Sequence, residues 1–493
     1  MISTELIIAT LALAIGSFMN VLDSTIVNVS LSHIAGDFAV APTQGTWVIT
    51  SYAVAEAIFL PLIGWLTKRF GIVRQYIFAT LFFTFASVLC GISFSFGFLL
   101  FARVLQGVVG ASMIPLSQTL MLGFYPKEKQ GIALGIWSMT IILAPVFGPM
   151  IGGWVTDSLS WRWCFYINVP FGVISSFIVY SIFKKKGYTD KIEKAPIDFW
   201  GLLLLAVGIG ALQIMLDKGN DLDWFSNNTI VILAIISFVC LVSLVIWEWY
   251  QENPVVNIRL FLNRNFSVGA VCLTLGSIAF FSAVVVIPLW LQNYMGYTAL
   301  KSGITTSTMG ISSLFLAPIL GGLLSKYDAR KFTAFGFIAF SIASFLFTYS
   351  PEVTTGYIAF TRFITGIGLA FFFIPLNVIT LSDISQEELA SASGLYNFTR
   401  NIGNSFGTSL AINFWTNKIS VHHQELVSSI NYANPNFSNY LSTLSGSLQM
   451  KLDAINNLIT YQSAIMGVND LIIASGVIML LLIPFVFIAK KNI

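Results

Sequence analysis

The stretch Met19-Asn20-Val21-Leu22-Asp23-Ser24-Thr25-Ile26-Val27-Asn28 puts an acidic side chain inside the first long apolar segment of the chain. That segment, about residues 6–32, is long enough to cross a bilayer, which takes about 20 residues in an α-helix. A carboxylate at such depth costs about 2.5 to 3.5 kcal/mol on insertion scales, and it normally faces a bundle interior or a watery cavity. The stretch therefore predicts a membrane helix that carries a functional acid, Asp23.

The composition of the whole chain is that of a polytopic membrane protein. Of its 493 residues, 56% are hydrophobic and 10% are charged, and the mean hydropathy is +0.81; soluble domains carry about 25% charged residues. The net charge of +3 is too small to indicate nucleic-acid binding. No Cys/His pair has metal-ligand spacing, so we predict no metal site. The first apolar run lacks a basic leader, and we expect it to stay as a helix.

Apolar segments divide the chain into fourteen predicted membrane helices. They lie at about residues 6–32, 45–66, 74–95, 98–122, 131–155, 165–183, 197–216, 228–248, 266–292, 300–324, 332–349, 355–381, 394–416 and 466–489. Seventeen of the 25 Lys and Arg residues fall in the connections on one side and five on the other. Because cytoplasmic connections carry the basic excess, both termini are predicted to be cytoplasmic. The polar connection at about 417–465 is expected to be a long outside loop.

A shift of 259 residues aligns features of the first part of the chain with the second. Phe101-Ala102-Arg103 matches Phe360-Thr361-Arg362. Glycines also coincide at this shift: Gly107 with Gly366, Gly135 with Gly394, and Gly148 with Gly407. We predict two six-helix bundles, 1–183 and 266–493, with linkers and two inserted helices at 184–265. Two such halves with a site between them at mid-membrane are typical of a rocking transporter.

Three further ionisable residues are predicted to lie inside membrane helices. An unpaired guanidinium there is costly, so Arg103 either finds a carboxylate such as Asp23 or snorkels to the outer interface, and Arg362 has the same two interpretations. Glu56 is a second proton site, a substrate-facing acid or a permanently protonated residue. Asp23 either exchanges protons or stays in a fixed hydrogen-bond network. We predict that Asp23, Arg103 and Glu56 form the proton-coupling site.

The run from Ala144 to Gly153 combines prolines, which break the helical hydrogen-bond ladder, with small residues at a spacing that allows close helix packing. It predicts a gate in the region between the halves. The predicted gate residues are Pro145, Gly148, Pro149, Gly152 and Gly153. The turn at 64–71 carries Lys68 and Arg69, which either anchor the helix at the cytoplasmic surface or form an ionic latch between predicted helices 2 and 3.

Amides and aromatic residues inside the predicted helices suggest a cavity for varied hydrophobic ligands. The alternative is that each of them packs between helices. The predicted cavity residues are Asn20, Asn28, Gln118, Gln292, Phe373, Asn377, Asn397 and Arg400. The pair His422-His423 is weak evidence for a metal, and a solvated surface is the favoured interpretation.

Together these motifs resemble the major facilitator superfamily, in its fourteen-helix drug:proton antiporter branch of EmrB-type export subunits. The resemblance covers nearly the full chain. It is carried by residues 22–29, 64–71, 103–110, 144–153 and 161–170. Asp23 matches the family's helix-1 acid and Arg103 its helix-4 arginine. Lys68 departs from the pattern because many relatives have Asp there, and Ser32 stands where the helix-1 motif often ends in Pro.

The resemblance implies an all-α major facilitator fold and export of hydrophobic or amphipathic drugs by alternating access. Export would be driven by protons moving inward, with no cofactor. It further implies a multi-pass location in a bacterial inner membrane, in contact with lipid. A periplasmic adaptor and an outer-membrane channel are implied as partners in a tripartite pump.

Two other function classes stay open. A proton-coupled nutrient or siderophore porter could use the same scaffold, although few charged cavity residues favour hydrophobic ligands. A membrane enzyme or sensor lacks a supporting Ser/His/Asp, metal or nucleotide constellation in the sequence. The sequence also has no Gly-x-x-x-x-Gly-Lys-Ser/Thr loop, which argues against ATP as the driving force.

Overall fold

The structure is a computed structural model that describes residues 4–126, 130–185, 196, 198–252, 254–324, 326–346, 348–428, 430, 435–443 and 445–491. These residues form α-helices and short 3₁₀ turns, with no strand among them. The helices are α1 (Thr4–Asp37), α2 (Pro42–Gly45), α3 (Trp47–Phe59), α4 (Ile63–Phe70), α5 (Ile72–Gly91), α6 (Phe96–Gly110), α7 (Met113–Phe124), α8 (Gln130–Ser158), α9 (Trp163–Tyr166), α10 (Asn168–Lys185), α11 (Phe199–Lys218), α12 (Asn228–Tyr250), α13 (Arg264–Asn293), α14 (Ala299–Leu324), α15 (Ala329–Leu346), α16 (Thr355–Leu381), α17 (Leu389–Ser428), α18 (Pro435–Thr443) and α19 (Leu448–Ile488).

Local sequence explains where several helices begin. A helix satisfies its backbone groups internally, which is what an apolar segment needs in lipid, but its first N–H groups still need acceptors. Side chains of Ser95, Asp198, Asn263 and Thr354 accept hydrogen bonds from these N–H groups at the starts of α6, α11, α13 and α16. Gly71 separates α4 from α5 at φ +84°, a conformation that glycine adopts at low cost.

The number of membrane-crossing helices is close to the prediction. Twelve spans among the described residues are long and apolar enough to cross a bilayer, and a pair within α8, bent by 45°, would make thirteen. Three of the twelve join two of the helices above: α3 with α4, α6 with α7, and α9 with α10. By this criterion the count is below the predicted fourteen. The remaining predicted segment, 394–416, lies in α17, whose many Asn, Ser and Thr side chains lower its hydropathy.

Helix packing separates the described chain into two groups that meet at a common interface. In the first part, α1 packs on α8 and α10, and α3 packs on α6. In the second part, α13 packs on α17 and α19, and α14 and α15 pack on α16. The groups meet where α8 contacts α14 and where α17 contacts α4. Helices α11 and α12 form a pair beside α3 and α17.

The start of α1 and the end of α19 lie at one end of the bundle, which we call the termini end. The Thr10 hydroxyl of α1 hydrogen bonds to the Tyr125 hydroxyl at 2.7 Å, and the backbone N–H of Lys490, just after α19, donates to Asn265 at 2.6 Å. Tyr125 and Phe266 belong to the same buried apolar cluster. The opposite end of the bundle is therefore the end at which α1 finishes and α13 finishes.

The predicted outside loop at about 417–465 is largely helical, which corrects the sequence interpretation. Helix α17 continues to Ser428, and α19 begins at Leu448, with α18 between them. Neither extension contains Gly or Pro, so polar composition marks helices outside the lipid rather than an irregular loop. The Asp470 carboxylate holds the extensions together by accepting from Lys418 and from His422, each at 3.0 Å. No cluster with metal-binding geometry occurs among the described residues.

Candidate functional site

An ion pair between Asp23 and Arg103 lies in the interior of the first group of helices. The Arg103 guanidinium donates to the Asp23 carboxylate with an Nη1–Oδ2 distance of 2.6 Å, and both side chains have zero exposure. The snorkelling alternative for Arg103 is therefore wrong. Removing two charges from water is costly, and their attraction compensates only when further hydrogen bonds satisfy the remaining atoms.

Polar groups of α3, α6 and α10 supply most of those hydrogen bonds, and only the Nη2 of Arg103 is left without one among the atoms of the pair. Gln106 and Asn168 donate to the second carboxylate oxygen of Asp23 at 2.8 and 2.6 Å. Arg103 also donates to the backbone carbonyl of Val48 at 3.0 Å and to the Gln106 side chain at 2.7 Å. Ser87 accepts from the Gln106 amide. Asp23 is thus held directly by groups from α6 and α10, and Ser87 of α5 positions the Gln106 and Asn168 amides.

Tyr52 connects this ion pair to Glu56. The Arg103 guanidinium carbon lies 4.4 Å from the centroid of the Tyr52 ring, a distance at which a cation is attracted to the aromatic face. The Tyr52 hydroxyl donates to Asn20 at 2.8 Å and to Glu56 at 3.4 Å. A continuous set of polar contacts therefore runs from Asp23 through Arg103 and Tyr52 to Glu56.

Glu56 faces a cavity of about 1100 Å³ between the two groups of helices. The cavity extends from mid-helix residues such as Glu56 and Tyr396 to residues near the helix ends opposite the termini, including His33, Gln292 and Leu300. Its volume is slightly above the range of about 300 to 1,000 Å³ for small-molecule sites. The cavity therefore reaches the end of the bundle where α1 and α13 finish.

At the termini end the two groups of helices are in close contact. Gln118 donates to Asn377 at 2.8 Å and accepts from Asn397 at 3.1 Å, and all three side chains are buried. A β-carbon at Gly135 would lie 2.7 Å from the Ala317 carbonyl, and one at Gly394 would lie 2.8 Å from the Leu60 carbonyl. The cavity is therefore closed toward the termini end and open at the opposite end.

The structure brings most of the predicted cavity residues to this cavity. Gln118 is the exception, because it is buried behind the cavity wall. The predicted residues that line it are Asn20, Asn28, Gln292, Phe373, Asn377, Asn397 and Arg400. Of the predicted proton-coupling residues, only Glu56 lines the cavity, while Asp23 and Arg103 lie behind it.

The predicted gate residues of α8 contact different parts of the molecule, and their gating role stays a prediction. Gly148 packs against Thr25 and Gly152 against Ile26, both in α1 of the same half. Pro145 and Gly153 line the cavity. Pro149 lies in α8, but its side chain is outside the described part. The contact of α8 with the other half involves α14, where Gly135 meets Ala317.

The residues of the predicted ionic latch lie on α4. Lys68 is exposed, and the Arg69 guanidinium lies 5.8 Å from the ring centroid of Trp65 in the same helix. This geometry favours anchoring of α4, and the latch stays a prediction.

The inserted helix α11 contributes to the cavity wall, which the sequence did not suggest. Gln213 and Asp217 of α11, and Asn220 in the turn that follows it, line the cavity. Asp217 accepts from Thr50 of α3 at 2.6 Å, and Asn220 donates to the Ser409 carbonyl of α17 at 3.1 Å. Helix α11 thereby binds both halves at the open end.

Gln106, Asn168 and Tyr52 are site residues that the sequence interpretation missed. Gln106 follows Arg103 by three residues, so both lie on one helix face, and Tyr52 precedes Glu56 by one turn. These spacings were the sequence signal that could have identified Gln106 and Tyr52 as site residues. Asn168 comes from a distant part of the chain, and only the fold brings it to Asp23.

A helical bundle in two groups around a central cavity, with a buried acid–arginine pair in the first, defines a membrane transporter. The family model of the Major Facilitator Superfamily matches residues 13–408. This chain therefore belongs to the major facilitator superfamily.

Curated relatives extend over nearly the whole chain. The "Multidrug export protein EmrB" of Escherichia coli is 43% identical over 491 residues, which is 99% of this chain and 96% of the relative. The "Fatty acid resistance protein FarB" of Neisseria gonorrhoeae is 39% identical over 485 residues, or 98% and 95% of the two chains. The structure of the human organic anion transporter MFSD10 is similar, with a TM-score of 0.60, 11% identity and coverage of 98% and 100%. That likeness concerns the fold alone.

Proposed function

We propose that this protein exports hydrophobic or amphipathic small molecules in exchange for protons that move inward. The observation that carries the proposal is the fully buried Asp23–Arg103 pair, connected through Tyr52 to Glu56 on a large, mostly apolar cavity. An acid at that depth is typical of a proton or ion path. The names of relatives such as EmrB support drug export as the direction and substrate class.

The proton gradient is the proposed source of energy, with no cofactor. One proton moving inward supplies about 1.4 kcal/mol per pH unit and about 2.3 kcal/mol per 100 mV of membrane potential. A shift of 1.4 kcal/mol corresponds to a tenfold change in an equilibrium. Typical membrane gradients therefore suffice for substrate gradients of tenfold or more.

The cavity that opens away from the termini end fits a substrate-release state. We propose that both termini are cytoplasmic and that this mouth faces the outside of a bacterial inner membrane. Ligand would leave there, protons would bind at Asp23 or Glu56, and the halves would rock to open the termini end. The predicted basic bias of the termini side supports this orientation.

A tripartite pump with a periplasmic adaptor and an outer-membrane channel is part of the proposal. It rests on the resemblance to EmrB-type subunits. The alternative is a nutrient or siderophore porter on the same fold. The aromatic cavity wall of Phe280, Phe281 and Phe373 favours hydrophobic ligands over sugars or peptides.

The test is transport of N-phenylnaphthylamine, a neutral amphipathic dye, by the native chain and by Asp23→Asn in everted membrane vesicles. We expect the native chain to move the dye when a pH gradient is imposed and to stop when the gradient is collapsed. Asp23→Asn removes the ionisable group but keeps a side chain of similar size. It should retain dye binding and lose at least about 90% of gradient-driven transport, a tenfold effect or 1.4 kcal/mol.

Asp37→Asn is the matched control, because it makes the same change on the same helix outside the membrane span. A hydrogen bond from Arg162, and a second from Trp161, hold the pKa of Asp37 below its ordinary value. Asp37 therefore stays ionised over the assay range and cannot exchange protons there. Transport by Asp37→Asn should equal that of the native chain. Full activity of Asp23→Asn would assign the coupling role to Glu56 instead. Dye movement by the native chain that does not depend on the pH gradient would refute the proposal.

A further inference from the structure

The internal repeat duplicates an arginine without duplicating its acid. Arg362 stands where the shift of 259 residues puts the counterpart of Arg103. The first-half arginine is neutralised by Asp23 of α1. The corresponding first helix of the second half, α13, contains no Asp or Glu along its whole length from Arg264 to Asn293.

Arg362 consequently lacks an internal counterion. Its side chain is buried, and its Nε is fully buried with no hydrogen-bond partner. Among the residues that the structure describes, Arg362 makes no hydrogen bond and no ion pair. An isolated buried charge is costly unless something pairs with it. Such a residue marks a place where a group from outside the chain can supply the missing charge.

The unpaired guanidinium faces the central cavity. Arg362 lines the cavity together with Arg400, and Arg400 interacts electrostatically with Glu56 on the opposite group of helices. The acids on the same wall are Glu56 and Asp217, and Asp217 already accepts a hydrogen bond from Thr50. Neither acid pairs with Arg362, so Arg362 contributes an uncompensated positive charge to the cavity wall.

The same cavity has an apolar wall, and Phe373 lies about three helical turns after Arg362 on α16, so both side chains are on one face of that helix. The Phe280 ring lies 5.2 Å from the Phe281 ring and 5.8 Å from the Phe373 ring, measured between centroids, and all three residues line the cavity. Aromatic groups of this kind bind flat or branched apolar bodies. One ligand with an anionic head and an apolar body would satisfy both features.

We propose that Arg362 binds the anionic head of amphipathic ligands, a carboxylate or a similar oxyanion, while the Phe280–Phe281–Phe373 cluster holds their apolar body. This inference rests on the proposed export function and adds a ligand-binding residue and a charge preference to it. The guanidinium offers parallel N–H donors that match the two oxygens of a carboxylate. The head group thus pairs with Arg362 in the way that the Asp23 carboxylate pairs with Arg103.

Binding of para-phenylbenzoate and of its neutral isostere para-phenylbenzamide to the purified full-length protein tests the proposal. The pair shares its apolar body, so the ratio of the two Kd values isolates the head group. We expect the native protein to bind the carboxylate at least about tenfold more tightly than the amide, a difference of 1.4 kcal/mol. A ratio near one in the native protein would overturn the proposal.

Variants then assign the preference to a residue. Arg362→Gln should bring the ratio to about one without changing the affinity for the amide, whereas Arg362→Lys, which keeps the charge, should retain most of the preference. Arg259→Gln is the control, because Arg259 is exposed and donates to the Trp249 and Gln251 carbonyls away from the cavity. An unchanged ratio in Arg362→Gln would overturn the assignment to Arg362.

A measurement on the native chain covers the case in which Arg362→Gln does not fold. Phenylglyoxal modifies accessible arginines, and mass spectrometry locates the modified residue. We expect para-phenylbenzoate, but not the amide, to protect Arg362; equal labelling with both ligands would contradict the proposal. Transport of the neutral dye distinguishes failure of the proposed export function from failure of the proposed role of Arg362. Dye transport is absent only if the export function is wrong.

Discussion

At the scale of single residues, the Asp23–Arg103 pair shows how a carboxylate that is costly to bury is held in place by the groups that pair with it. Asp23 was evident from the sequence because a carboxylate inside an apolar segment is rare. Its partner was suggested by the presence of a second buried charge. The amides of Gln106 and Asn168 that complete its hydrogen bonds are ordinary polar residues in the sequence, so only their positions in the fold reveal the role.

Arg103→Met should be strongly destabilising because it leaves the Asp23 carboxylate buried without a counterion. Breaking a buried pair from one side costs on the order of 3 to 5 kcal/mol, while replacing both partners with apolar residues is often nearly neutral. We therefore expect Arg103→Met to lower the Tm of the purified protein and Asp23→Leu combined with Arg103→Met to recover most of the loss. Arg362→Met is the matched control and should not lower the Tm, since Arg362 has no described ion pair to lose. An equal loss in Arg103→Met and the double variant would contradict the pairing energy assigned here.

At the scale of helices, the sequence predicted the apolar segments well and the polar ones poorly. Hydropathy and helix length locate the spans because lipid allows few alternatives to a helix. Outside the lipid this constraint disappears, so the helical extensions of α17 and α19 were interpreted as a loop. The small residues of α8 were recognised as a packing surface, but their partner could not be known. Gly148 and Gly152 pack on α1, a choice that depends on the arrangement of the whole bundle.

Asp470→Asn should loosen the helical extensions without changing transport. The substitution weakens the contacts to Lys418 and His422, both at 3.0 Å, and partly exposed ion pairs are worth about 0 to 1 kcal/mol each. We expect a severalfold faster hydrogen exchange of the backbone at 417–428 and native dye transport. Asp453→Asn is the control, because Asp453 lies on the same helix, in its extension, and accepts only from Gln449 at 3.0 Å among the described hydrogen bonds. If hydrogen exchange at 417–428 is as slow in Asp470→Asn as in the native protein, apolar packing alone holds the extensions together.

At the scale of the whole molecule, the internal repeat explains how the termini end closes. The 259-residue shift relates Gly135 to Gly394 and Gln118 to Asn377. Each of these glycines meets a backbone carbonyl of the opposite half, and the two amides hydrogen bond to each other across the interface. Sequence could identify the repeat, since it is a property of one chain. It could not say that Gln118 meets Asn377 or that both glycines lie at the interface, because that depends on how the halves face one another.

Gly135→Val should therefore shift the molecule from the closed to the open state of the termini end. A β-carbon at this position would lie 2.7 Å from the Ala317 carbonyl, a backbone atom that cannot move aside as a flexible side chain would. Overpacking of about 1 to 3 kcal/mol changes the ratio of the two states about five- to 150-fold. Spin labels at the exposed positions Lys68 and Lys326, near the termini end of each half, should give one short distance in the native protein and a longer population in Gly135→Val. Gly322→Val on α14 should leave the distance unchanged, since a β-carbon there has no atom within 4 Å. An identical distance distribution in Gly135→Val and the native protein would mean that the close approach of α8 and α14 does not limit the opening of the termini end.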